Sequence, residues 1–389
     1  MSGANQEAVR GGLPSCLLPT PCVQNHAANL CVLPGGDLAC VWFGGTQEGI
    51  PDISVYFARL PGGARGTPGG AWTAPVKLSD DPTRSEQNPL LFVAPDSTLW
   101  LLWTAQISGN QDTAIVRRRL SRDNGASWGA IETLFEATPT SGTFIRQPIT
   151  VLPSGEWLLP VFYCNTIPGR AWAGDADTSA VKISSDGGRT WRDVAVPGST
   201  GCVHMNIGRL ADGSLLALFR SRWADNIYLS RSTDSGNTWT VPAKTALPNN
   251  NASIQFTVLA NGHLALAFNN ASAAQATERR ASLYDDIGGG PAPPPPPQGG
   301  ERRAFWGAPR APMTLAISED GGRTWPHLRD VETGDGYCMT NNSSEKRNRE
   351  LSYPSIVQGT DGKLHLAFTH FRQAIKHVRV DEDWVKAGG

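Results

Sequence analysis

The chain has 389 residues, a formal net charge of −1 and 18% charged residues. That balance argues against nucleic-acid binding by bulk electrostatics, and the sequence holds no run of about 18 apolar residues that would read as a membrane span. With 42 Gly, 29 Pro and 13 Trp, it reads as a turn-rich β protein with many large packing plates.

The start, Met1-Ser2-Gly3-Ala4-Asn5-Gln6-Glu7, has no basic stretch and no apolar segment. No secretory leader is read there, and a cytoplasmic location is expected. Seven Cys without a CxxC pair suggest free thiols in a reducing compartment. Had a leader been lost, Cys16–Cys22 or Cys31–Cys40 bridges would be open.

Along the chain one phrase recurs, in which an apolar run, a tight turn and a second apolar run follow each other. Its copies are Leu33 to Leu38, Leu152 to Trp157, Leu210 to Leu215, Leu259 to Leu264 and Gly359 to Leu364, with a Gly-free copy from Ala94 to Leu99. Asp-Gly and Asn-Gly between apolar runs are hairpin signals. A second phrase, Ser-x-Asp-x-Gly-x-Thr-Trp, follows at Ser184–Trp191, Ser232–Trp239 and Ser318–Trp325. Ser121–Trp128 is a looser copy, and Gly69-Gly70-Ala71-Trp72 a worn one without the Asp. The short carboxylate can accept backbone N–H bonds while the Gly takes positive φ. The Asp is therefore expected to staple a turn, and the Trp to open the next strand.

Units of about 50 residues with four strands each read as propeller blades. The expected fold is all-β: a six-bladed β-propeller of four-stranded antiparallel blades. Residues 1–24 would form an N-terminal segment that supplies a closing strand. Residues 25–380 would form the propeller, and 381–389 a tail. An insertion at about 271–304 carries Gly288-Gly289-Gly290 and Pro293 to Pro297, and is expected to be an exposed flexible loop.

If the blade strands are lettered A to D, both repeated turns fall at one pole. The B–C loops and the crossings into strand A fall at the other, and those segments hold the unusual residues. Arg84, Arg146, Arg220, Arg310, Arg349 and Arg372 come from different loops and would form a cationic funnel around the axis, with Arg222 in the same loop as Arg220. His26, Gln87, His204, Asn206, Glu350, Tyr353 and the carboxylates Glu48, Asp52, Asp112 and Asp177 interleave them. A guanidinium fork matches a carboxylate in two bonds, so an anionic ligand is expected.

The repeated boxes in six β units resemble the sialidase (neuraminidase) superfamily of BNR, or Asp-box, proteins. Phrases such as Trp42-Phe43-Gly44-Gly45-Thr46, Ser221 to Asn226 and Trp306 to Arg310 look like a predicted-neuraminidase subgroup. That subgroup also resembles fungal rhamnose–glucuronate lyases. The resemblance implies a sialidase-like propeller and, for a sialidase, three Arg on the substrate carboxylate, a Tyr nucleophile with a Glu base, and an Asp acid. Tyr353 and Glu350 match the late Tyr region. The early Phe/Tyr-Arg-Ile-Pro phrase is replaced by Asn25-His26, and its nearest likeness is Phe144 to Pro148.

Three readings follow. In an exo-glycosidase of sialidase type, two or three of Arg146, Arg220, Arg310 and Arg372 would hold the carboxylate. Tyr353 would attack with Glu350 as its base, and Glu48, Asp52 or Asp112 would protonate the leaving oxygen. In a uronate lyase, cations would acidify the carbon beside the carboxylate, and His26, His204, His370 or Tyr353 would take its proton. In a non-catalytic glycan-binding propeller the same cage would bind without turnover. For the site as a whole, the catalytic candidates are Tyr353, Glu350, His204, His26 and Asp52. The binding candidates are Arg84, Arg146, Arg220, Arg222, Arg310, Arg372, Gln87 and Asn206. No cofactor, metal, nucleic-acid or membrane partner is expected, and the chain is expected to be a monomer.

Overall fold

A computed structural model of the protein describes residues 13–66, 70–287 and 302–388. Six antiparallel sheets form the blades of a β-propeller. Blade 1 runs Gln24–Val32, Leu38–Gly45, Ser54–Leu60 and Val76–Lys77; blade 2 runs Arg84–Val93, Leu99–Ile107, Asn110–Ser121 and Glu132–Phe135. Blade 4 spans Cys202–Arg209 to Ala243–Pro248, and blade 5 spans Gln255–Val258 to His327–Glu332. The inner strand of blade 3 is broken in two, Ser141–Ile145 and Thr150–Val151, both paired with Trp157–Asn165. Pro148 lies in the gap, where it has no N–H to give to a ladder. Blade 6 has Leu351–Gln358, Leu364–His370 and Ala374–Val380, and its outer strand is Ser15–Leu17 from the N-terminal side. The ring thus closes by non-local pairing, with Cys16 opposite His377.

Second strands are buried throughout, as in Leu38–Gly45 and Leu215–Ser221, because adjacent blades cover both of their faces. The core is consequently a set of inter-blade layers. Val41, Val55 and Phe57 of blade 1 pack on Leu91, Leu101 and Trp103 of blade 2. Phe92 and Trp100 meet Trp157 edge-on at 4.9 and 5.4 Å. Near the axis, polar side chains stitch neighbouring inner strands. Asn29 Oδ1 accepts from Leu91 N, Asn206 Oδ1 from Phe256 N, Gln255 Oε1 from Ile356 N and Ser355 Oγ from Leu30 N.

The boxes form turns of one design. Ser184 Oγ donates to Asp186 Oδ1 and accepts from Gly188 N, while Asp186 accepts from both Thr190 N and Thr190 Oγ1. Gly188 sits at φ +81°, and a Cβ there would lie 2.7 Å from Trp100 and 3.0 Å from Trp157. Gly188→Ala is expected to destabilise the protein by about 2–4 kcal/mol, from left-handed strain plus overpacking. A denaturant midpoint unchanged by that substitution would refute the account.

The Gly288–Gly290 and Pro293–Pro297 tracts lie outside the described residues. The flanks of the insertion are not an exposed loop: Leu283, Tyr284, Ala304 and Trp306 are buried. They cross the pole opposite the boxes and pack on Phe144, Phe162 and Trp172 of blade 3. Among the described residues no helix is long and apolar enough to cross a membrane.

Candidate functional site

The inner strands enter the ring through a repeated irregularity. Their register shifts between His26 and Asn29, Gln87 and Leu90, Val203 and Asn206, and Ser352 and Ser355. Within or at these bulges Ala27, Asn88, His204 and Tyr353 adopt φ of 60°, 48°, 53° and 53°. A left-handed non-glycine residue costs about 1–2 kcal/mol, and a bulge re-aims the side chain it carries. Here it brings His204 of blade 4 and Tyr353 of blade 6 together, with ring centroids 5.7 Å apart. His26 of blade 1 lies against the other side of Tyr353 at 4.3 Å.

Guanidinium groups surround this aromatic cluster. Arg220 Nη1 donates to the Tyr353 hydroxyl at 2.6 Å and lies 3.4 Å from His204 Nε2. Asn251 Oδ1 accepts from Arg220 Nε and so holds the group in place. Arg146, Arg220 and Arg310 stand 5.5, 5.6 and 5.5 Å from the Tyr353 ring. Arg310 Nη1 donates to Glu350, and Arg372 bridges Glu350 and Glu48. Arg222 pairs with Asp177 at 2.6 Å between Phe162, Trp172 and Trp306.

Electrostatics separates these groups. Burial, aided by the charge of Arg372, pushes His26 well below its ordinary value. Burial and the Arg220 charge do the same to His204. Both imidazoles are therefore neutral near pH 7. His26 Nδ1 faces Thr369 Oγ1 at 2.8 Å, while His26 Nε2 and His204 Nδ1 are buried without a hydrogen-bond partner among the described residues. Arg220 cannot accept a hydrogen bond, so its contact leaves the lone pair of His204 at Nε2 and the proton at Nδ1. Glu350 behaves oppositely. Burial opposes its ionisation, but Arg372 and Arg310 outweigh it and hold the carboxyl well below the usual carboxylate range. Burial raises Asp177, and also Asp112 at the half-buried edge of the cage.

The expected residues therefore divide. His26, His204, Arg220, Arg310, Arg372, Glu350 and Tyr353 meet at the axis, and Arg222 lies beside them. Arg146 reaches the axis from beneath Tyr353. Its guanidinium binds Ser253 Oγ and the carbonyls of Ala27, Ala28, Tyr353 and Pro354, which ties blades 1, 3, 5 and 6 together rather than presenting a fork to a ligand. Glu350 makes no bond to Tyr353; its oxygens accept from Arg310, Arg372 and Ser352. Asn206 serves as an inter-blade stitch. Arg84 Nη1 binds the carbonyls of Ala105 and Thr113. Gln87 is buried and binds Ser85 Oγ. Asp52 is exposed and closes its own loop by accepting from Thr46 N and Oγ1. Arg349 pairs with Asp335 at the surface, and His370 with Glu332. The members given no role from sequence are Tyr284, in the insertion, and Trp306, just after it. Tyr284 Oη accepts from Gln106 and Gln111, and Trp306 lies 5.8 Å from the Arg220 guanidinium. A Tyr and a Trp on either side of a Pro/Gly tract were the only signal for them.

The profile of the BNR repeat-like domain matches residues 36–366. The chain belongs to the BNR repeat-like family. No curated protein sequence matches this BNR chain. Among solved structures, the BNR propeller is similar to a Hadza microbial sialidase at 14% identity and TM-score 0.66, covering 94% of this chain and 67% of that one. It is similar to the leech intramolecular trans-sialidase, complexed with 2,7-anhydro-Neu5Ac, at 13% identity and TM-score 0.66, covering 95% and 69%. The Ruminococcus gnavus intramolecular trans-sialidase, complexed with oseltamivir carboxylate, gives 13% identity and TM-score 0.65, covering 93% and 95%. At such identities the likeness establishes the sialidase-like fold of this BNR chain and leaves its chemistry to the site.

Proposed function

We propose that the protein cleaves a glycosidic bond beside a sugar carboxylate, and that it does so by β-elimination at a uronic acid. The observation that carries this reading is the pair of buried imidazoles, His26 and His204, that pack against Tyr353 inside an arginine cage. Arg220 and Arg310 would take the substrate carboxylate, which stabilises the charge that develops when the adjacent C–H proton leaves. With its Nδ1–H donated to Thr369 Oγ1, His26 would accept that proton at Nε2. The electron pair forms a carbon–carbon double bond and the bond to the leaving oxygen breaks. Tyr353 supplies that oxygen with its proton, and Arg220, already bonded to the phenol, compensates the charge left behind.

Sialidase-type hydrolysis is the second reading, favoured by the three guanidiniums over the Tyr353 ring. It asks for a base on the Tyr353 hydroxyl, and the carboxylate nearest in sequence is occupied by Arg310 and Arg372. The products separate the readings. Elimination gives a conjugated unsaturated uronate that absorbs in the ultraviolet, and hydrolysis does not. Incubation with a rhamnose–glucuronate gum is expected to raise that absorbance. Release of sialic acid from a sialoside, with no such rise on gum or ulvan-like polymer, would overturn elimination in favour of hydrolysis.

A further inference from the structure

A groove of about 510 Å³ lies between the outer half of blade 4 and the box turn of blade 5. That volume falls in the range of about 300–1,000 Å³ usual for ligand sites. It belongs to the box side of the disc, across the propeller from the Tyr353 cage. Arg231 and Arg323 line it, with Leu229, Leu247 and Trp325 as its apolar flank. Arg231 is half-buried and Arg323 exposed. Arg231 Nη2 donates to the Gly321 carbonyl and Arg323 Nη1 to the Asp320 carbonyl. Among the described residues neither forms an ion pair with a carboxylate. Asp320 and Asp212 are close, but their oxygens accept from Thr324 and Ser318 and from Ser214. Burial, then the like charge of Arg323, pulls Arg231 below its ordinary value.

A second groove, lined by Asp80, Asp81, Pro82, Arg117, Ile131 and Thr133 where the chain crosses from blade 1 into blade 2, is of another kind. Its cavity of about 430 Å³ also holds an arginine, but Arg117 there pairs with Asp81 at 2.7 Å and Glu86 at 3.1 Å. The box tryptophans differ as well. The indoles of Trp191 and Trp239 donate to the carbonyls of Gly188 and Gly236, whereas Trp325 Nε1, like Trp128 Nε1, has no partner among the described residues. With Asp212 and Asp320 near but in no direct ion pair with them, the two guanidiniums keep N–H donors open to an anion. An apolar flank beside them suits the C–H face of a sugar ring.

We propose that this groove is a secondary carbohydrate site, which binds the carboxylate of an acidic sugar unit and so retains a polysaccharide chain whose other units reach the cage. The choice of a sugar acid rests on the proposed function; the anion-binding character of the groove rests on Arg231 and Arg323. The test is hydrogen exchange of the full chain with and without a glucuronate-containing tetrasaccharide. Protection is expected over residues 243–247 and 321–325, and Arg231→Ala with Arg323→Ala is expected to abolish it. Loss of two charge-assisted contacts should raise KM on the polymer by about tenfold or more, with kcat and the KM of a disaccharide substrate unchanged. Protection confined to the cage, or equal protection by inorganic sulfate (an adventitious ion only), would overturn the proposal. Groove protection without any cleavage would sink the proposed function and support the groove. Cleavage without groove protection would sink the groove alone.

Discussion

Glu350→Ala is expected to destabilise the protein by about 3–5 kcal/mol, the cost of leaving buried charge without its partner. Glu350 is fully buried and accepts from Arg310, Arg372 and Ser352. Arg372 passes the network on to Glu48. Two guanidiniums face two carboxylates, and removing one carboxylate leaves Arg310 with no anion within reach. The sign of the pH effect agrees. The Glu350 carboxyl is depressed in the folded state, so its contribution is present above the ordinary glutamate value of 4.5 and is lost as pH falls below it. The measurement is equilibrium denaturation of Glu350→Ala, Arg310→Met and the double variant. Because the two side chains share one network, the double variant should lose less than the two single losses combined. Strict additivity, or an unchanged midpoint for Glu350→Ala, would refute the assignment of Glu350 as the anchor of Arg310 and Arg372.

Blade phase was legible because the boxes and Gly hairpins rest on local chemistry. The turn bonds of Ser184, Asp186, Gly188 and Thr190, with those from Arg189 and Trp191, run within the box, so eight residues suffice to specify the turn. The pole carrying the cage followed from that phase. What stayed hidden depends on partners distant in sequence. Arg146 and Arg220 look alike in the sequence, yet one binds backbone carbonyls contributed by blades 1 and 6 and the other binds Tyr353. Asn206 is polar and sits near the axis, as a ligand residue would, but its acceptor is claimed by the next inner strand. Glu350 and Tyr353 lie close in the chain, but the left-handed turn at Tyr353 sends its side chain to Arg220 while Glu350 meets Arg310. Tyr284 and Trp306 were obscured by the Gly- and Pro-rich composition between them, which reads as loop whatever its flanks do.

Tyr353→Phe and His26→Ala are each expected to lower kcat/KM on a uronate substrate by about 10²–10⁴, the usual worth of a positioned proton donor or acceptor. Phe keeps the ring that packs among Ala27, Phe43, Ile53 and Ala252, so Tyr353→Phe should fold as the parent does and lose only the hydroxyl bonded to Arg220. The loss should fall on kcat, because the phenol proton moves in the transition state while Arg220 and Arg310 still hold the carboxylate. A binding-only propeller would show the opposite pattern, with affinity altered and no turnover to lose. The pH profile adds a test that packing damage cannot mimic. A base must be unprotonated, and burial with the Arg372 charge holds His26 well below its ordinary value of 6.5. Activity should therefore persist as pH falls through 6.5, and the acid limb of kcat/KM should lie below it. An acid limb at or above 6.5 would remove His26 as the base, and wild-type activity in Tyr353→Phe would remove the phenol as the acid.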